Sequence, residues 1–415
     1  MKETNLYQGH CVVSDTFDVT HMIVTAIPSI PADDTTLESQ LEEALHQIRD
    51  CLQNHADHGE IVQQTIFLKY YEDREKCQQF LRQWYGEHLP VNVYVPQAPC
   101  EGQRLAMEAL LVLNQKEKDY VVEHKRENLL VSRHSGVTWY YAAGQEPRHG
   151  ERSIYSQSVE SFQDLDRALE SVGVPFENVI RTWLYLGNIT EPAWNELEGE
   201  TQRYKELNRA RSDFFRGIRF FDGMMPKEPS HPVYPASTGI GGNGDTLVMS
   251  ALAVRFDTPE SGIILPLENP QQVSAFDYGE VYSLKSPKFA RALLLATEGR
   301  GIIFVSGTAS ITDSESRYEN DPVAQTELTL ENIAILIEES NLERHGQKGF
   351  GCGLNEMAVA RVYVKRQEDY PAIREVCERK MPNVPKIYTI ADVCRPELLV
   401  EIEGIAFTGR KNRQS

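Results

Sequence analysis

The chain has 415 residues, 41% of them hydrophobic and 25% charged, which excludes a disordered chain, and a prior of about 150 residues per domain gives it two to four domains. Asp and Glu number 61 against 42 Lys and Arg, a formal net charge of −19, so phosphate backbones and anionic membrane surfaces make poor partners. The seven cysteines (Cys11, Cys51, Cys77, Cys100, Cys352, Cys377 and Cys394) are odd in number, scattered and free of any CxxC, which argues against a disulfide framework and a structural zinc site.

No run approaches 18 apolar residues, and the opening MKETNLYQGHCVVSD lacks the apolar core of a signal peptide. A cytoplasmic location without a membrane partner is therefore expected.

Three segments repeat one order of elements: amphipathic helix, apolar strand, second helix, closing apolar strand. In the first, Leu37, Leu41, Ala44, Leu45, Ile48 and Leu52 recur at helical spacing. TIFLKYYED at 65–73 then reads as a strand, 75–89 as a helix, and RLAMEALLV at 104–112 as the closing strand.

In the second, Val159, Phe162, Leu165, Ala168, Leu169 and Val172 form the stripe, and Gly173 followed by Pro175 signals a helix stop. RTWLYLGNIT at 181–190 is the expected strand, 194–210 the expected helix, and TLVMSALAV at 246–254 the closing strand.

In the third, Leu330, Ile333, Ala334 and Ile337 share a helical face, ARVYVKRQED at 360–369 is the expected strand, 369–381 the helix, and LLVEIEGIAF at 398–407 the closing strand. From strand to closing strand, Phe67 to Met107 spans 40 residues, Tyr363 to Ile402 spans 39, and Trp183 to Met249 spans 66. The middle unit thus carries an insertion, expected in the Gly- and Pro-rich stretch 217–244. The charged 115–130 and Pro-rich 256–280 stretches divide the chain into units at 1–120, 128–256 and 278–410.

GEVYSLKSPKFARA (279–292), IIFVSGTASI (302–311), AQTELTLENIAILIEESNL (324–342) and the closing LLVEIEGIAF give the third unit a clear likeness. It resembles the RidA (YjgF-like) superfamily. The second unit is similar through Gln157, VPFENVIRTWLYL and its closing strand, and the first through VPQAPCEGQRLAMEAL at 95–110.

RidA proteins are homotrimers with ligand clefts between subunits. The resemblance therefore implies an α+β fold of three tandem RidA/chorismate-mutase-like units, each a mixed sheet with two helices on one face. Joined in one chain, they would form an internal pseudo-trimer in a monomer.

PASTGIGG (235–242), SPKFARA (286–292), GTASI (307–311) and ADVCRPELLVEIEG (391–404) carry a narrower resemblance, to the chorismatases. That implies hydrolysis of the enol ether of chorismate, a small anionic metabolite, to pyruvate and a hydroxybenzoate or dihydroxycyclohexadiene acid, without a cofactor. RidA deaminases carry a Pro-x-Arg before the last strand, where this chain reads NVPKIYT with Lys386. An enamine or imine deaminase remains the alternative enzyme, and a non-catalytic small-acid-binding module the alternative of another class.

Strand alternation puts Leu399, Glu401, Glu403 and Ile405 on one face and Val400, Ile402, Gly404 and Ala406 on the other. Where the third closing strand has Glu401, the others have Ala106 and Val248, so one working cleft of three is expected. A carboxyl among apolar neighbours is desolvated and its pKa rises, which suits a general acid worth about 10²–10⁴-fold. The competing reading is a solvated strand carboxylate.

Glu403, matched by Glu108 and Ser250, reads as structural. Cys394 is either a small buried hydrophobe or, by the resemblance, a pocket residue of the branch that forms 3-hydroxybenzoate. Arg291 and Arg317 are candidates to hold the substrate carboxylates through their planar forks, against the alternative of a solvated face. Arg395 either joins them or pairs with Asp392. Tyr282 either meets the substrate ring or packs.

GIGGNG at 239–244 runs into a strand rather than a helix, so a turn or flexible loop is expected there and not a phosphate loop. The histidines form no HxH or HExxH pattern, and no GxSxG is present. No metal is expected.

Overall fold

The computed structural model describes residues 2–6, 9–16, 19–55, 59–113, 120–144, 147, 153–196, 199–277, 285–297 and 299–409, with backbone alone up to residue 20. Its frame is three six-stranded sheets with the same internal order. Numbered by position along each segment, the strands run 1-2-3-6-4-5. All neighbours are antiparallel except the fourth and fifth, which are parallel.

The closing strands Leu105–Leu113, Leu247–Phe256 and Val400–Gly409 are the sixth strands and sit at the centre of their sheets. In each, a helix connects the third and fourth strands (Leu37–His55, Ile154–Glu170, Pro322–Ile337). A second helix connects the fourth and fifth (Arg74–Tyr85, Arg203–Phe214, Tyr370–Lys380), as a parallel crossover requires. This is an α+β chain with several mixed sheets and few helices. No described helix is long and apolar enough to cross a membrane.

The final strand separates its two faces as alternation predicts. Val400, Ile402 and Ala406 join a cluster with the helix residues Leu330, Ile333, Leu336 and Ile337. Ile405 joins a larger cluster that includes Phe67, Trp139, Tyr185, Phe304 and Tyr363, drawn from the inward faces of all three sheets. Helices thus cover the outer faces, and the inner faces meet one another.

The closing strands share a register. Glu401 pairs across with Tyr363, Ala106 with Phe67, and Val248 with Tyr185.

The expected helix over 194–210 is corrected. Pro192–Asn195 and Gly199–Gln202 form a hairpin, and the helix is Arg203–Phe214. Pro192 and Gly199 suit a hairpin better than a helix interior.

GIGGNG is corrected as well. Ala236–Gly242 is a strand parallel to Val179–Gly187, the counterpart of Val91–Val95 and Lys386–Ile390, so the extra residues of the middle segment precede it. Its glycines allow close backbone approach. A β-carbon on Gly241 would stand 2.5 Å from the Asp392 carbonyl oxygen, and one on Gly242 2.8 Å from the Pro96 ring.

Candidate active site

The site forms where the edge strand Ala236–Gly242 of the second sheet meets the third sheet. Ala290 N–H donates to the Pro235 carbonyl (3.1 Å), Ser237 N–H to Ser306 Oγ (2.9 Å), and Gly307 N–H to Thr238 Oγ1 (3.0 Å). Strand Arg300–Ala309 bulges between Val305 and Thr308, opposite the closing strand. Such a bulge bends the strand and re-aims its neighbours.

A cavity of roughly 300 Å³ opens at this seam. The second segment contributes Gln202, Tyr204, Lys205, Asn208, Ser237 and Gly239 to its wall. The third contributes Phe289, Arg291, Gly307, Cys394, Arg395 and Glu401.

Glu401 is 5% exposed. Among the described residues no donor hydrogen-bonds to its carboxyl. Burial, reinforced by the charge of Glu403 and only partly offset by Arg181 and Arg291, pushes its pKa up to about 8. The group is therefore a neutral acid near pH 7.

Glu403, two residues on, behaves oppositely. Burial alone would raise its pKa, but Arg181 and Arg361, with hydrogen bonds from Thr238 and Tyr363, hold it below the ordinary value. Arg361 Nη1 reaches Glu403 at 3.1 Å, Tyr363 Oη donates at 2.5 Å, and the Arg181 guanidinium and Thr238 hydroxyl bond its other oxygen.

Arg361 also binds Glu108 at 2.8 and 2.9 Å, Tyr185 Oη at 2.9 Å and Thr65 Oγ1 at 3.2 Å. One buried arginine thus ties all three sheets together. Two carboxyls on one strand face thus have their pKa values driven apart, Glu401 up and Glu403 down.

Cys394 lies in the cavity wall, with its thiol pushed up to about 12, chiefly by burial and then by Glu401. It is a neutral thiol there. Its chain segment is held by Gly241 N–H donating to the Asp392 carbonyl (2.8 Å) and by Gln202 Nε2 donating to the Cys394 carbonyl (3.3 Å). The Tyr204 phenol is likewise kept protonated, by burial and then by Cys394.

Arg291 lines the cavity while its guanidinium donates to the Val273 carbonyl at 3.0 Å. Arg395 also lines it, with Nη1 bonded to the Ser314 carbonyl (2.9 Å) and Ser316 Oγ (3.2 Å). It does not pair with Asp392, which is taken by Lys365 (2.8 Å).

Arg317 is not among the lining residues. Its side chain is 42% exposed and pairs with Glu315 at 3.0 Å, beside the short hairpin at 311–316. Tyr282 lies outside the described residues.

Sequence reasoning missed Tyr204, Lys205 and Asn208. They come from the helix Arg203–Phe214 of the neighbouring segment, and only the fold brings them to the final strand. Lys386, which follows Pro385 in NVPKIYT, is turned inward. Its Nζ donates to the Met381 (2.6 Å) and Val384 (2.7 Å) carbonyls and offers no cation to a cleft.

No family model matches the chain. It is 36% identical over 289 residues to a 3-hydroxybenzoate synthase of Streptomyces hygroscopicus, covering 68% of this chain and 78% of that protein. It is 31% identical over 281 residues to a chorismatase of Streptomyces rapamycinicus, covering 66% and 77%. A chorismatase crystal structure superposes with a TM-score of 0.63 over 98% of this chain and 99% of that one, at 21% identity.

Proposed function

The chain belongs to the chorismatase family, and on that premise we propose that the cavity at Glu401 cleaves the enol ether of chorismate. The observation that carries this is a buried carboxylic acid, protonated up to about pH 8, in a cavity also lined by Lys205, Arg291 and Arg395. The cations suit a dianionic substrate, and the neutral acid suits protonation of carbon.

Glu401 gives its proton to the methylene carbon of the enolpyruvyl group, and the ether carbon becomes an oxocarbenium ion. Two resolutions balance. Water adds to the ether carbon, and the hemiketal collapses to pyruvate and a dihydroxycyclohexadiene acid. Alternatively a ring hydroxyl traps the cation, and ring rearrangement with proton loss gives 3-hydroxybenzoate and pyruvate with no net water consumed. Cys394 in the wall and the 36% identity to a 3-hydroxybenzoate synthase support the second outcome.

We read the chain as three fused units, 1–120, 128–256 and 278–410, arranged as an internal pseudo-trimer in a monomer. Their matching strand order and closing-strand registers support that reading. Ala106 and Val248 at the Glu401 position leave one working cleft. Six free cysteines among the described residues support a reducing, cytoplasmic setting.

The experiment is turnover of chorismate in D₂O, with pyruvate trapped as lactate as it forms. One deuterium on the methyl carbon and 3-hydroxybenzoate as the aromatic product are expected. Pyruvate with an undeuterated methyl, or none at high enzyme concentration, contradicts the reading.

A further inference from the structure

Far from the Glu401 cavity in sequence, three side chains converge where the first and second sheets meet. Glu60 is the second residue of strand Gly59–Leu68, His88 ends the turn Gly86–His88, and His124 lies in the edge strand Val121–Arg126 of the second sheet. One ligand-type atom from each lies within 4.8 Å of the others. His88 Nδ1 stands 3.7 Å from Glu60 Oε1, and the two imidazoles meet at 89° with centroids 6.0 Å apart.

The tautomer of His124 is the telling feature. Its Nδ1 lies 2.9 Å from the Leu89 carbonyl, which can only accept, so in the neutral imidazole Nδ1 carries the proton and Nε2 presents a lone pair. That Nε2 is buried and has no partner among the described residues. In that form the Nε2 lone pair and the nearby Glu60 carboxylate are both acceptors, and a cation is a partner that satisfies both. A histidine whose other N–H is fixed by a backbone carbonyl is the usual arrangement at a metal.

We propose that Glu60, His88 and His124 form a site for a divalent borderline metal, zinc foremost. Two imidazoles and one carboxylate are the ligand types zinc takes. Bonds of about 2.0–2.2 Å put tetrahedral ligand atoms roughly 3.4 Å apart, so the cluster closes by roughly 0.3 Å for the His88–Glu60 pair and by at most roughly 1.4 Å for the others. The ion would bridge two sheets through residues 60, 88 and 124. No short-range motif joins these positions, which is why the spacing of histidines along the chain is silent about them. The site shares no residue with the catalytic cavity, so the role is to fasten the first segment to the second.

The test uses the full chain, stripped with chelator and titrated with zinc, then with cobalt(II) as a spectroscopic probe. His88 is exposed, so His88→Ala leaves the fold and pyruvate release unchanged; His124→Ala and Glu60→Gln complete the set. The wild type should bind one zinc per chain and give visible cobalt ligand-field bands of low coordination number. Each histidine variant should weaken zinc at least tenfold and lose those bands. No zinc uptake by the wild type, or unchanged affinity and spectrum in either histidine variant, overturns the proposal.

Discussion

The carboxyl of Glu401 lies directly over Gly307, so close that a β-carbon on residue 307 would overlap Oε1. The glycine sits in the bulge of strand Arg300–Ala309, and its N–H is held by Thr238 of the second sheet. The position of the proposed acid is thus set by a backbone shape and by the seam between two segments.

Gly307→Ala should therefore displace the Glu401 side chain. We expect the rate of pyruvate release to fall at least tenfold and stability to fall by about 1–3 kcal/mol, the usual cost of overpacking. Steady-state kinetics and urea denaturation on the same preparation check both. An unchanged rate would mean that the carboxyl needs no such seat.

Proton linkage gives a prediction for pH. Glu401 titrates at about 8 in the folded chain, against an ordinary 4.5. Between those values the folded chain holds a proton that the unfolded chain has lost, so this group's contribution to stability falls as pH rises from about 4.5 to 8. Glu401→Gln cannot ionise and should be the more stable protein, by up to roughly 3 kcal/mol at pH 7 and much less at pH 5. Denaturation at the two pH values measures the difference. In the wild type, kcat/KM should fall about tenfold per pH unit above the folded pKa.

Arg291→Ala and Lys205→Ala should raise KM for chorismate roughly 10–100-fold each, from about 1.5–3 kcal/mol per charge-assisted hydrogen bond. Arg317→Ala should leave KM within about twofold, because that side chain faces solvent and Glu315. Chorismate saturation curves for the three variants separate them.

Cys394→Ala removes the thiol beside the proposed acid. Pyruvate release should continue within roughly tenfold of wild type, while the ring product moves from 3-hydroxybenzoate toward the dihydroxycyclohexadiene acid. Chromatography of the products reads the ratio. An unchanged ratio removes Cys394 from the ring chemistry.

Much of this site is written along one stretch of chain. Period-two alternation across Leu399–Ile405 puts Glu401 on the inward face, and Ala106 and Val248 in the matching strands mark it as unusual. Cys394 and Arg395 precede it closely enough to share its cavity.

The cations were less legible. Arg291 and Arg317 look equivalent in sequence, but the hairpin at 311–316 gives Arg317 a nearby partner in Glu315, whereas Arg291 is drawn into the interior. Tyr204, Lys205 and Asn208 had no local signal, because a residue that serves a neighbouring segment's cleft carries only its own helix's periodicity. The glycines of 239–242 misled for a related reason. They read as a loop locally and prove to be a strand thinned for contact with Asp392 and Pro96.

The role of Glu401 as proton donor is tested most directly by pyruvate release from saturating chorismate by the wild type and Glu401→Gln at pH 7, with substrate binding measured on the variant. In the variant kcat should fall on the order of 10²-fold or more with chorismate still bound. A Gln variant that releases pyruvate within about twofold of wild type would contradict that role.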